Sequence, residues 1–249
     1  MAGGLFRLTS ICLVHATLGA PRYVVAGADL NGPGLEETKR LIENDGGVFT
    51  GVIADVGAEQ EVASFLESVT STYGAISAAV ACAGIASTKQ VHEETLERWN
   101  EMISVNLTGP FLLAKHVMPI FMANKAGAFV AVSSEAGVRA AAGYGAYCAS
   151  KHGVLGLVRR LALDYGQLGI RSNVVCPGFV QTEMMDRVFA EASDLEQEKK
   201  GYEREVPLGR FAAPEEVAAV IKHLCSEEAS YSNGMIYAVD GGVTAGHLG

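Results

Sequence analysis

The sequence predicts a single α/β domain built on a doubly wound parallel sheet, and three observations carry that prediction. Short apolar runs rich in Val, Ile and Ala alternate with segments of helical periodicity. Apolar residues make up 49% of the chain and charged residues only 19%, which suits a sheet covered on both faces. The length, 249 residues, is that of one domain with ample interior. Strand–helix–strand alternation then gives parallel strands joined by right-handed crossovers.

The elements follow in order. The first nineteen residues admit two readings. In one, Thr9–Leu18 is a helix stopped by Gly19 and the sheet lacks its first strand. In the other, Ile11–Val14 forms a replacement strand. Tyr23–Ala28 is a strand ending at Asp29, and Gly34–Asn44 is the helix after it. Val48–Ala54 and Ala58–Tyr73 repeat the unit, and Ile76–Cys82 is the next strand. Leu96–Ala123 reads as one long helix bent at Pro110 and Pro119, neither of which has a backbone N–H to donate. Ala128–Ser133 precedes the proline-free helix Gly145–Leu168, and Ser172–Cys176 precedes a charged stretch with no strand pattern. Pro214–Cys225 opens with Pro214, Glu215 and Glu216, a favourable first turn, and Ile236–Val239 is the last strand. Ligands of such sheets bind at the strand carboxyl ends. Asp29, Asp55, Gly84, Ser134 and Pro177 all stand at such ends.

Composition excludes several functions. The formal charge of −9, with no long Lys/Arg run, argues against nucleic acid or an anionic membrane as partner. Five scattered cysteines without C-x-x-C spacing indicate a reduced, cytoplasmic setting. The six histidines form no ligand pattern with them, so no metal site is expected. No apolar run reaches membrane-spanning length, and Arg7 alone gives too weak a basic start for a signal peptide.

Chemistry concentrates between Ser134 and Lys151. Tyr147 and Lys151 are four residues apart on a helix and therefore share a face. A phenol ordinarily titrates near pH 10, and a neighbouring ammonium favours its ionised form. Ser134 stands thirteen residues earlier, at the end of Ala128–Val132. Asn106 lies in Val105-Asn106-Leu107-Thr108-Gly109, and Pro177-Gly178 follows Ser172–Cys176. This ordered set resembles the short-chain dehydrogenase/reductase family over Tyr23 to Gly242, most of the chain. The resemblance implies a Rossmann-like fold and an NAD-dependent oxidoreductase acting on a small secondary alcohol or ketone. It implies Tyr147 as general acid/base, with Lys151 lowering its pKa and binding the nicotinamide ribose. Ser134 would bond the substrate oxygen, Ser133 being the neighbouring candidate, and Asn106 would hold a water in a proton relay. Asp29 would accept the adenosine ribose hydroxyls and repel a 2′-phosphate, which favours NAD over NADP. Asp55 and Val56 would meet the adenine ring, and Ala83 and Gly84 would let the backbone approach the cofactor. Pro177, Gly178, Val180 and Thr182 match the stretch that orients the nicotinamide amide. Residues 183–211 correspond to a substrate flap, and the family commonly forms homo-oligomers, tetramers or dimers. Glu135 is an unusual charge beside Ser134, one that shapes substrate choice or faces water, and Cys148 reads as packing.

Two departures stand out. Ala81 and Cys82 replace the asparagines of the family's Asn-Asn-Ala-Gly turn. The glycine-rich turn that wraps the pyrophosphate at a helix N-terminus is absent, since Leu5 to Cys12 contains no glycine. Two readings besides the dehydrogenase therefore remain: a catalytically weak binding subunit on the same fold, and a nicotinamide-independent enzyme reusing the Ser–Tyr pair. Lys151 argues against the latter, because its ribose-binding task would vanish without cofactor.

Overall fold

The computed structural model of the chain describes residues 11–16, 23–190 and 195–246. Its strands are β1 (Ile11–Ala16), β2 (Tyr23–Asp29), β3 (Val48–Ile53), β4 (Ala78–Ala81), β5 (Gly127–Val132), β6 (Ile170–Pro177) and β7 (Ile236–Val239). Its α-helices are α1 (Gly32–Asn44), α2 (Glu59–Tyr73), α3 (Leu96–Ile103), α4 (Gly109–Asn124), α5 (Gly145–Tyr165), α6 (Glu183–Ala190), α7 (Leu195–Glu205) and α8 (Pro214–Cys225). The strands form one sheet in the order β3-β2-β1-β4-β5-β6-β7.

β1 decides between the two readings of the amino terminus. It is a strand, and it runs antiparallel to both neighbours, with Ile11 beside Ala28 and Ala81 and Ala16 beside Tyr23. Every other pairing in the sheet is parallel. Chain length gives the reason. Only residues 17–22 separate β1 from β2, and a parallel crossover needs a dozen residues or more. A strand so close in sequence can join β2 only as the arm of a hairpin. The chain therefore arrives at the carboxyl edge of the sheet at Ile11 and leaves β1 at the opposite edge. The helix reading of Thr9–Leu18 does not survive, and its ends lie outside the described residues.

Two cores flank the sheet because side chains alternate along each strand. Phe129, Ala131, Val174 and Cys176 join Phe65, Leu113, Phe121 and Val158 from α2, α4 and α5 on one face. Val130 and Val175 join Leu35, Ile42, Val217, Ile221 and Leu224 from α1 and α8 on the other. Asn31 caps α1, its side chain accepting from the Gly34 amide, and Pro33 sits in the first turn.

The long helix expected over Leu96–Ala123 is interrupted. A π-helical turn, Ser104–Thr108, separates α3 from α4, and the Gly109 amide reaches back to the Ser104 carbonyl. Pro110 supplies the cause, since it has no N–H for the carbonyl four residues back, that of Asn106. Pro110 thus lies in the first turn of α4 and only Pro119 is interior. The wide turn places Asn106 inward, fully buried. Such single π turns recur at functional positions.

Candidate functional site

The carboxyl ends of β4, β5 and β6 meet the start of α5, and the singled-out residues gather there. α5 begins at Gly145, so Tyr147 lies in its first turn and Lys151 one turn further on. Lys151 is 3% exposed, and its Nζ donates to the Val132 carbonyl at 3.0 Å. That ammonium also lies 5.7 Å from the centre of the Tyr147 ring. Ser134 ends β5 in extended backbone and opens a 3₁₀ turn, Glu135–Gly137, its Oγ accepting from the Ala136 amide at 3.1 Å. The Ser134 side chain acts on the Tyr147 phenol and favours its ionised form. Ser133 is committed elsewhere, donating to the Lys151 carbonyl at 2.9 Å. Of the two adjacent serines, it is Ser134 that faces Tyr147.

Asn106 is locked in place by three bonds. Its Nδ2 donates to the Ile85 carbonyl at 2.9 Å and to Ser150 Oγ at 3.1 Å. Its Oδ1 accepts from the Ile85 amide at 2.9 Å. Ser150 in turn donates to the Tyr147 carbonyl at 2.7 Å. Ser150, fully buried, thus ties the π turn to the first turn of α5. Ser150 carries no motif of its own, although its place at i+3 from Tyr147 puts it on the inner face. Gly84 closes the corner. A Cβ there would stand 3.3 Å from Lys151 Nζ and 3.6 Å from Asn106 Oδ1. A side chain there would crowd the Lys151 ammonium and reach ordinary contact with Asn106.

Electrostatics in the ligand-free corner differ from the simple expectation. Burial is the largest influence on Tyr147 and pushes its phenol up to about 12. The Ser134 side chain opposes that rise, while the Glu135 carboxylate adds to it. Lys151 does not outweigh that burial, which also pulls its own ammonium down to about 8. Cys82, in an asparagine's place, has its thiol pushed to about 12 by burial, with Lys151 opposing and Asp29 adding. It is a protonated, weakly polar neighbour of Lys151 at neutral pH. Ala81 is in the core. Glu135 does not face water: its side chain is 9% exposed and pairs with Arg139 at 2.8 Å.

The remaining residues line the same edge of the sheet. Asp29 Oδ1 accepts from the Asn31 amide at 2.9 Å. Asp55 Oδ1 accepts from the Gly57 amide at 2.8 Å, and the Asp55 amide donates to Glu61. Val56 is buried in the core and touches the position where Gly109 would carry a Cβ. Ala83 packs on that core from a partly exposed position. Pro177 ends β6. Gly178 crosses so close to β7 that a Cβ would stand 2.8 Å from Asp240 Cα. Val180 and Thr182 lead into α6, with the Gln181 amide donating to the Ala212 carbonyl at 3.0 Å. α6 and α7 form the stretch read as a flap. Among the described residues there is no metal-ligand cluster and no helix long and apolar enough to cross a membrane.

The corner fits one half of a nicotinamide dinucleotide. Lys151, Asn106 and the bare backbone at Gly84 offer polar groups where a ribose and carboxamide could sit. The pyrophosphate half has no such provision among the described residues. The chain arrives at β1 where the family's glycine turn would leave it, so no helix N-terminus follows β1 at that edge.

Known proteins are similar to this chain in sequence and fold. A family profile described as enoyl-(acyl carrier protein) reductase matches residues 15–244. Levodione reductase of Leifsonia aquatica is 33% identical over 251 residues, covering 98% of this chain and 91% of its own. D-threitol dehydrogenase of Mycolicibacterium smegmatis is 33% identical over 235 residues, covering 94% and 87%. A protein named inactive 2-(S)-hydroxypropyl-CoM dehydrogenase 2, from Xanthobacter autotrophicus, is 37% identical over 201 residues, covering 80% and 87%. The crystal structure of levodione reductase superposes with a TM-score of 0.87 at 29% identity, covering 89% of this chain and 88% of that one. The match spans both cores and every strand end described above, and on that ground the chain belongs to the short-chain dehydrogenase/reductase family of oxidoreductases.

Proposed function

We propose that this chain transfers a hydride between NAD(H) and a small secondary alcohol or ketone, with Tyr147 as the proton-transferring group. The observation that carries the proposal is the buried Lys151 ammonium 5.7 Å from the centre of the Tyr147 ring, with the Ser134 side chain acting on the same phenol. Two hydroxyls converging on one point can hold a carbonyl or alcohol oxygen between them. The names of levodione reductase and D-threitol dehydrogenase support a ketone or alcohol substrate. When bound, the nicotinamide supplies the hydride acceptor or donor.

The chain's own residues do the rest. Ser134 donates to the substrate oxygen and orients it. Tyr147 gives that oxygen a proton in reduction and removes it in oxidation. Lys151 holds the nicotinamide ribose, its ammonium lying beside the Tyr147 ring. Asn106, fixed by Ile85 and Ser150, keeps the corner's polar groups in register for a proton relay. A phenol held near 12 is fully protonated at neutral pH, the form that ketone reduction requires. Asp29 at the end of β2, with no cation at Leu30 or Asn31, favours NAD over NADP. Asp55, Val56, Ala83, Pro177, Gly178, Val180 and Thr182 complete the cofactor edge in this reading.

Tyr147→Phe tests it. The ring is kept and only the hydroxyl is lost, so the variant should fold normally and lose about 10²–10⁴-fold in turnover. A Phe variant with near wild-type kcat ends the assignment.

A further inference from the structure

Helix α7 touches the Ser134–Tyr147 corner at two points that lie on one of its faces. Arg139, just beyond the 3₁₀ turn, donates through Nε to Glu135 at 2.8 Å and through an Nη to Glu205 of α7 at 3.3 Å. Tyr202, three residues before Glu205, lies close enough to Tyr144 to act on its phenol. Tyr144 stands edge-on to the Tyr147 ring, with centroids 6.1 Å apart. Residues three apart share a helix face, so Tyr202 and Glu205 approach the corner together.

The two ends of the ion-paired bridge are not equivalent. The Glu135 side chain is 9% exposed and the Arg139 side chain 32%. Glu205 is 53% exposed. Arg139 is therefore anchored by a carboxylate that has no water to retreat to, while Glu205 can leave. Aromatic packing supplies the bulk of the docking. Tyr202 lies edge-on to Phe179 at 5.0 Å and to Phe189 at 5.6 Å, and Phe189 stacks on Phe211. That packing fixes how firmly α7 sits. The charged bridge, which is directional, fixes where it sits.

We propose that Arg139 is a positioning residue, a fixed guanidinium post that receives Glu205 and seats the Tyr202–Glu205 face of α7 over the Ser134–Tyr147 corner. The proposal rests on the reading of that corner as the reacting site. Substrate enters while Glu205 is away from Arg139, and the re-formed pair holds it against Ser134. Removing the pair weakens substrate retention and leaves proton transfer at Tyr147 intact.

The test is hydrogen exchange over residues 195–205, with steady-state kinetics on a secondary alcohol that the wild type oxidises. Wild type, Glu205→Gln, Arg139→Met, Arg139→Lys and the double variant Arg139→Met/Glu205→Gln are compared. Glu205→Gln is the cleanest, because it alters an exposed side chain and leaves Glu135 paired. Exposed pairs of this kind carry little energy, so exchange in α7 should quicken about two- to fivefold. KM should rise by a similar factor with kcat nearly unchanged. Arg139→Lys should recover part of the loss, and the double variant should be no worse than Arg139→Met alone. High salt should bring the wild type to the level of Glu205→Gln. Unchanged exchange in Glu205→Gln, or additive effects in the double variant, overturns the proposal. Loss of kcat at constant KM overturns it too. Activity that persists in Tyr147→Phe defeats the reading of the corner instead, and the exchange data then still judge the bridge.

Discussion

Glu135 and Lys151 show how much a single charge is worth in this corner. Glu135 holds the Tyr147 phenol up, secondary to burial. Alcohol oxidation needs the phenolate, so its rate rises with pH towards that raised value. Glu135→Gln removes one contribution to the rise, and the rising limb of the oxidation profile should move to lower pH. A pH–rate profile that stays put or moves up contradicts the electrostatic account. Lys151 makes the opposite kind of statement, about stability. Burial lowers its folded-state pKa to about 8, against about 10.4 in an unfolded chain. Below pH 8 both states carry the proton and the folded state bears the full cost of a buried charge. Between about 8 and 10.4 the folded state releases its proton first and the cost fades. Lys151→Met should therefore inactivate the protein yet stabilise it by roughly 1–3 kcal/mol at pH 7. The gain should shrink as pH rises towards 10. Denaturant melts at pH 7 and pH 10 check both points, and a variant less stable than wild type at pH 7 is the contrary result.

Elements with one strong local signal were legible in the sequence. Tyr23–Ala28, Val48–Ala54 and Ile236–Val239 are short β-branched runs closed by Asp, and each appears as a strand within a residue of its expected end. Pro214 with two following glutamates fixed the start of α8. Tyr147, Lys151 and Ser134 can be singled out in the sequence because their spacing is local to one helix and one strand end and fits the ordered set of a known family. Elements set by distant contacts were not legible. Pro110 was visible as a break, but its consequence is a π turn that turns Asn106 inward, and this depends on Ile85 and Ser150 from other parts of the chain. Arg139, Tyr144 and Tyr202 carry no motif, and their importance arises only when α7 brings Glu205 to Arg139. The strand ends of β6 and β7 make a further prediction at this scale. Gly178 faces backbone atoms of Asp240 rather than a movable side chain. Gly178→Ala must separate the two strands, at a cost of about 1–3 kcal/mol. A thermal melt should show a lowered Tm; an unchanged one means the edge yields more easily than its packing indicates.

The whole molecule combines the Ser134–Tyr147–Lys151 corner, which we propose transfers protons, with an unusual sheet. Six strands run parallel, as the alternating pattern requires, and β1 lies between β2 and β4 in the reverse sense because residues 17–22 are too few for a crossover. The polarity of that strand determines what stands at the phosphate position, and there the described residues provide no helix N-terminus. Each hydrogen bond to a charged group contributes roughly 1.5–3 kcal/mol. The loss of two corresponds to about two to four powers of ten in affinity. A titration of the unmodified chain with NADH, followed by nucleotide fluorescence alongside NADPH and the Lys151→Met variant, tests this account most directly. The account predicts saturable NADH binding in the millimolar range, weaker binding of NADPH, and loss of binding in Lys151→Met. Micromolar NADH affinity, or binding that Lys151→Met leaves unchanged, would contradict it.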